Sequence, residues 1–176
     1  TVNKMNPNKH DGMIGSGNLC QESFSNFSPT KVGNVTINEK TGKINQESDS
    51  GYIHTCNLVS LNLSLLLDRE TLAKSCSVAV KILDNTIDLT VTPIAESNLH
   101  NNHYRTIGVG AMGLADYLAI NHLPYKGDSG TLEEVDKLFE FIAYNVVKTS
   151  ADLAIEKGAY PKFAGSDWNK GIFFGR

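Results

Sequence analysis

Apolar and polar positions keep different rhythms in different parts of the chain. Residues 1–50 are largely polar, and residues 1–19 are rich in Asn, Lys, Gly and Ser with short apolar spots at Met5 and Met13-Ile14, so they predict irregular backbone. Asn34 to Asn45 alternates around Lys40-Thr41-Gly42, the pattern of a β-hairpin. Tyr52 to Leu63 has Ile53, Val59, Leu61 and Leu63 as its apolar positions, and its first half reads as a buried strand. From Leu72 the period lengthens. Leu72, Cys76, Ala79, Leu83 and Ile87 recur every three or four residues, one face of a helix from about 69 to 89. Asp68 is placed to cap its start, with Thr71 where a capping box usually has Glu, and Pro93 stands just beyond its end. Residues 91–103 read as a polar connection, and Thr106 to Val109 as a short strand. Ala111 to Leu123 reads as a helix with Met112, Ala115, Leu118 and Ala119 on one face. After a turn at Asp128-Ser129-Gly130, Leu132, Val135, Leu138, Phe139, Ile142, Val146 and Leu153 mark a long helix over 132–157, with Gly158 as its C-terminal cap.

Strands alternating with long helices make the fold class α/β. Two or three strands are too few to cover three amphipathic helices, so further strands are expected outside this sequence. The first residue, Thr1, and the aromatic end at Phe173-Phe174 suggest cuts through a longer protein, since natural ends are usually polar.

Composition narrows the function classes. The 176 residues are 40% hydrophobic and 20% charged, which excludes wholesale disorder. The net charge of −3 carries no basic excess of the kind nucleic acid selects. No apolar run approaches the ~20 residues of a membrane span, and no charged leader precedes an apolar stretch. Cys20, Cys56 and Cys76 are widely spaced and lack any Cys-x-x-Cys pairing, which favours a reducing, cytoplasmic setting and gives no support to a metal site.

Several segments could carry chemistry. Gly108-Val109-Gly110-Ala111-Met112-Gly113 fits the Gly-x-Gly-x-x-Gly pattern, in which glycines bring a helix N-terminus against phosphate. The strand before it is short, and the acidic residue about 20 positions on, Asp128, lies in a turn, so close strand–helix packing explains the glycines better. His10, His54, His100, His103 and His122 share no ligand spacing, and His100 and His103 read as surface imidazoles in a polar loop. Cys76, on the apolar helix face, reads as a small core residue. In Ser16-Gly17-Asn18-Leu19-Cys20-Gln21-Glu22, an extended backbone would put Asn18, Cys20 and Glu22 on one face. An amide that holds a hydroxyl, a thiol and a proton-accepting carboxylate would then converge. A polar loop with a buried cysteine fits the same spacing.

The motifs jointly resemble a known family. Asn18-Leu19-Cys20-Gln21-Glu22 is followed by Thr55-Cys56-Asn57-Leu58 with Ser60-Leu61-Asn62-Leu63. Then come Leu83-Asp84 with Ile87-Asp88, and Arg105 with Gly108, Gly110 and Gly113. Last come Glu156-Lys157-Gly158-Ala159-Tyr160-Pro161 with Phe163, and Trp168 with Lys170-Gly171. In this order they resemble the large (α) subunit of class I ribonucleotide reductase over almost the whole chain. Leu19 and Gln21 stand where class II members usually have Pro and Gly.

The resemblance implies a partial ten-stranded α/β barrel. Residues 1–22 would be a finger loop and its approach, 23–51 an inserted hairpin, and 52–176 strands and outer helices of the second half-barrel. Cys20 would carry a thiyl radical that abstracts the 3′ hydrogen of a ribonucleotide, expected to be a diphosphate. Glu22 would take the 3′-hydroxyl proton, Asn18 would bind sugar hydroxyls, and Cys56 would be one member of a redox-active pair. No cofactor or metal is implied for this segment. The radical would come from a metal-containing β subunit, and reducing equivalents from thioredoxin or glutaredoxin. The remaining segments of the α subunit, itself expected to be a homodimer, would complete the enzyme, and the fragment alone would be inactive. No nucleic acid or membrane partner is implied. The partner of Cys56, the substrate-phosphate loop, the radical-carrying tyrosine pair, the cysteine tail and the allosteric region have no counterpart in the sequence. Two other readings stay open: a glycyl-radical type of thiyl-radical enzyme on the same barrel, and a nucleotide-binding module using Gly108–Gly113.

Overall fold

Leu72, Cys76, Ala79, Leu83 and Ile87 do fall on the buried side of one helix. A computed structural model describes residues 2–19 and 22–173. The chain divides into two compact units: one of residues 1–56, 89–106 and 160–176, the other of residues 57–88 and 107–159.

The second unit has the apolar core. Strands β5 (Leu58–Asn62) and β6 (Gly108–Met112) pair in parallel, Leu58 opposite Gly108 and Asn62 opposite Met112. Parallel strands need a long crossover, and helix α2 (Arg69–Leu89) lies within it. Asp68 caps α2 by accepting the Thr71 N–H at 2.8 Å, as its position predicts. Two more helices complete the unit, α4 (Leu114–Ile120) and α5 (Ser129–Lys157). Leu61 and Leu63, Leu72, Cys76 and Ala79 of α2, Tyr117 and Leu118 of α4, and Leu138 and Ile142 of α5 form one buried cluster. Lys157, at the end of α5, reaches Asp84 of α2 at 2.6 Å.

The first unit is built from short pieces. Helix α1 (Val2–Met5) leads to β1 (Ile14–Gly17), which pairs antiparallel with β2 (Phe24–Asn26). Strands β3 (Lys31–Ile37) and β4 (Ile44–Asp49) form the expected hairpin, longer than its sequence pattern. A bulge between Val32 and Val35 brings Val32, Val35, Ile37 and Ile44 to one exposed face. Helix α3 (Ala95–Tyr104) follows.

Several expectations need correction. Residues 1–19 are not irregular throughout, since they contain α1, a 3-10 turn at Lys9–Asp11 and β1. The strand expected in the first half of 52–63 lies in the second half, where β5 finds its partner β6. The polar connection of 91–103 is largely the helix α3. The helix expected from Ala111 begins only at Leu114. Ala111 and Met112 belong to β6, and Gly113 takes a left-handed φ of 76° at the junction. A Cβ there would also lie 2.8 Å from Asn62 Oδ1, so glycine suits the site twice over. Helix α5 starts at Ser129 because Asp128 caps it, accepting the Thr131 N–H at 2.9 Å. The α/β class holds as mixed α/β. The described residues form three separate two-stranded sheets and no closed barrel. Among them no helix is long and apolar enough to cross a membrane.

The core makes a direct prediction. Leu72→Ala, at a side chain only 1% exposed, should cost about 2–5 kcal/mol in urea denaturation. Val78→Ala, on the exposed side of the same helix, should change stability by no more than about 0.5 kcal/mol. Equal effects would contradict this placement of the helix face.

Candidate functional site: a closed loop on a polar interior

Between the antiparallel strands β1 and β2 the chain turns back. Asn18 and Ser23 close this loop. The Asn18 N–H donates to the Ser23 carbonyl at 3.2 Å, and the Ser23 N–H donates to Asn18 Oδ1 at 2.8 Å. The other end of the same amide, Nδ2, donates to Glu22 Oε2 at 2.5 Å. Gly17 lets the strand enter the loop: a Cβ there would sit 2.5 Å from the Phe24 ring.

Asn18 and Glu22 therefore meet, though not as an extended strand would bring them together. The chain turns back, and the side-chain amide bridges the turn. Asn18 is buried and Glu22 half-buried. Cys20, the third member of the expected group, lies with Gln21 outside the described residues. Cys56 is an exposed free thiol in the same unit. Cys76 is free and buried in the other unit, where burial pushes its thiol pKa up, in keeping with a core role. Gly108 and Gly110 lie inside β6, opposite Leu58 and Ser60. A phosphate-cradling loop would instead begin beyond its strand, and the helix after Gly113 is only seven residues long. Among the described residues, no group of three or more His, Cys, Asp or Glu side chains could hold a metal ion.

Polar and aromatic side chains fill the interior around the loop. Ser23 Oγ lies 2.8 Å from His54 Nε2, and Ser25 Oγ lies 2.8 Å from His100 Nε2. Thr106 also donates to Ser25, at 3.0 Å. The His100 ring stacks on Tyr104, with centroids 5.0 Å apart, and lies 5.4 Å from the His54 ring. The Tyr52 hydroxyl meets His103 Nδ1 at 2.7 Å. Tyr104 donates to Asp11, which Lys162 also approaches at 3.0 Å. Asn6 Nδ2 donates to Asn26 Oδ1 at 2.8 Å, and the Tyr160 hydroxyl donates to Asn8 Oδ1 at 2.9 Å.

Burial sets the charge states of these groups. It depresses the His54 imidazole. Burial, and then repulsion by His54 and His103, pulls His100 down to about 3, so its imidazole is neutral near pH 7. Burial pushes the Tyr104 phenol strongly up, and bonding to the Asp11 carboxylate adds to this. Burial also tends to raise Asp11, but hydrogen bonds from Tyr104 and Lys162 outweigh it and hold the carboxyl below its usual value.

His54 and His100 are the residues that sequence reasoning missed. His100 is fully buried and not a surface imidazole. Its signal is a spacing: the buried positions of α3 are Ser97, His100, Asn101 and Tyr104, a helical period written in polar residues.

One unit holds a turn that pairs an amide with a carboxylate, and the other a parallel strand pair with covering helices; both are compatible with the ribonucleotide reductase barrel family. The chain belongs to that family: the model described as "Ribonucleotide reductase, barrel domain" matches residues 1–175. Curated relatives named "Ribonucleoside-diphosphate reductase subunit alpha" include one from Synechocystis sp., 49% identical over 175 residues. Others come from Treponema pallidum, 39% identical over 177 residues, and Helicobacter pylori, 34% identical over 207 residues. These alignments cover 99%, 98% and 98% of this chain but only 20%, 21% and 26% of the respective relatives. The chain thus spans about a fifth to a quarter of their length.

The histidines predict an acid response. Their folded values lie below the ordinary 6.5, so the unfolded chain binds protons more readily. The stability they contribute is complete above about 6.5 and is lost as the pH falls, down to about 3 for His100. Urea midpoints measured from pH 7 to 4.5 should fall, and His100→Gln should flatten the slope by up to about 1.4 kcal/mol per pH unit. An unchanged slope in the variant would refute a buried neutral His100.

Proposed function

We propose that this chain is the segment of a ribonucleotide reductase α subunit that carries the reacting thiol, and that it acts within the complete subunit. The observation that carries the reading is the Asn18–Glu22 pair at the closed loop, in a chain whose relatives are named as reductase α subunits. In the complete subunit, residues 1–22 form the finger loop and its approach inside a ten-stranded barrel. Residues 23–51 add the hairpin, and 52–176 supply strands and outer helices of the second half-barrel.

The chemistry follows from the side chains. A thiyl radical on Cys20 takes the 3′ hydrogen atom of a ribonucleoside diphosphate, leaving a carbon radical. Glu22 accepts the 3′-hydroxyl proton, as a positioned carboxylate can. Asn18 hydrogen-bonds the sugar hydroxyls and fixes Glu22. The 2′ oxygen leaves as water. Two thiols, Cys56 and a partner elsewhere in the subunit, become a disulfide and supply the two electrons and two protons. Glu22 then returns its proton to the 3′ oxygen, and Cys20 returns its hydrogen atom to the 3′ carbon and is again a radical. A metal-containing β subunit generates the radical, and thioredoxin or glutaredoxin reduces the disulfide by thiol exchange.

The test uses the full-length α subunit with its radical-generating partner. Cys20→Ser should abolish ribonucleotide reduction. Cys56→Ser should remove multiple turnover, and Glu22→Gln should lower kcat about 100-fold or more. Cys76→Ala should leave turnover near the parent rate. Normal steady-state reduction by the Cys20 variant would overturn the assignment.

A further inference from the structure

We infer that His54 is a positioning residue for the reacting loop, holding the Asn18–Glu22 pair in place through Ser23. The inference rests on the proposed function for its catalytic consequence, while the loop geometry stands apart from that reading.

A run of short hydrogen bonds makes the link. His54 Nε2 meets Ser23 Oγ at 2.8 Å, the Ser23 N–H donates to Asn18 Oδ1 at 2.8 Å, and Asn18 Nδ2 donates to Glu22 at 2.5 Å. Ser23 is 2% exposed and Asn18 4%, so water has little access to replace a lost partner. A buried polar group left unsatisfied is costly enough to repopulate the loop. Ser23 is the pivot, because its hydroxyl faces the imidazole while its backbone holds the amide.

The ring itself is fixed. His54 lies edge-on to Phe27, with centroids 6.2 Å apart, and tilted against His100 at 5.4 Å. Ser23 and Ser25 are alternate residues of an extended segment and so share a face, and each meets one of the two imidazoles. Burial keeps His54 neutral near pH 7, so it offers a directed hydrogen bond without a charge that would draw Glu22 away from Asn18. His54 also stands two residues before Cys56. One imidazole therefore ties the reacting loop to the segment that carries the proposed redox thiol.

His54→Leu, His54→Gln and Ser23→Ala test this in the full-length subunit assembled with its radical-generating partner, with Cys20→Ser in parallel. Gln can place an amide near the position of Nε2, and Leu cannot. His54→Leu should lower kcat about 10–100-fold with KM changed less than about threefold, the scale of a misplaced catalytic geometry. His54→Gln should recover most of that loss. Backbone hydrogen exchange at Asn18 and Ser23 should accelerate about tenfold in His54→Leu, return in His54→Gln, and stay unchanged in α2. Ser23→Ala should reproduce the His54→Leu loop exchange, and it decides the matter if His54→Leu does not fold. Parent-like loop exchange in His54→Leu or Ser23→Ala, or equal damage in the Gln and Leu variants, would overturn the inference. If the parent enzyme reduces no ribonucleotide, the proposed function falls, while the exchange measurement still decides whether His54 holds the loop.

Discussion

One side-chain amide, that of Asn18, both helps close the turn between β1 and β2 and holds Glu22. Asn18 and Ser23 are buried, and a buried backbone N–H needs a partner. The Asn18 oxygen satisfies the Ser23 N–H while its nitrogen holds Glu22. Closing the turn and orienting the carboxylate are thus one constraint. An aspartate in the same place would keep the acceptor, lose the donor, and set a second carboxylate against Glu22. The loop's shape and the chemistry proposed for it share the same bonds.

That constraint explains why the two units have such different interiors. Around β5, β6, α2, α4 and α5 the buried cluster is Leu, Ile, Ala, Cys and Tyr, and burial of apolar surface drives the packing. Around the loop the buried residues include Asn6, Asn8, Asn18, Ser23, Ser25, Asn26, His100 and Asn101. Such an interior is costly unless its groups are paired, and the paired ones give it directional contacts that fix where each side chain points. A loop that must present an amide and a carboxylate at set angles gains from that directionality. The cost is sensitivity to acid, because neutral buried histidines are part of the network.

These differences also explain which parts were legible in the sequence. Helix α2 was legible in side chains and cap alike, because its buried positions are apolar and Asp68 lies where a cap belongs. The β3–β4 hairpin was legible from its turn. Helix α3 was hidden because its buried positions, Ser97, His100, Asn101 and Tyr104, keep the right period in residues that a hydrophobic pattern passes over. The junction at Gly113 was misread because Ala111 and Met112 suit a helix by propensity, whereas pairing with β5 holds them in a strand. At the loop, spacing left Asn18 and Glu22 open between a converging group and a plain polar loop, and only the resemblance gave them roles; the geometry that joins them is a turn, not an extended strand. His54 and Ser23 gave no sequence signal, since they lie 31 residues apart and only the fold brings them together.

The central claim is that the loop at Asn18–Glu22 presents a thiol that removes a hydrogen atom from the sugar of a ribonucleotide. A substrate tritiated at the 3′ position tests it most directly in the assembled enzyme. The account predicts a tritium isotope effect on reduction by the parent enzyme and no 3′ carbon–hydrogen cleavage in Cys20→Ser. Reduction without any 3′ isotope effect, together with 3′ cleavage that survives loss of Cys20, would contradict it.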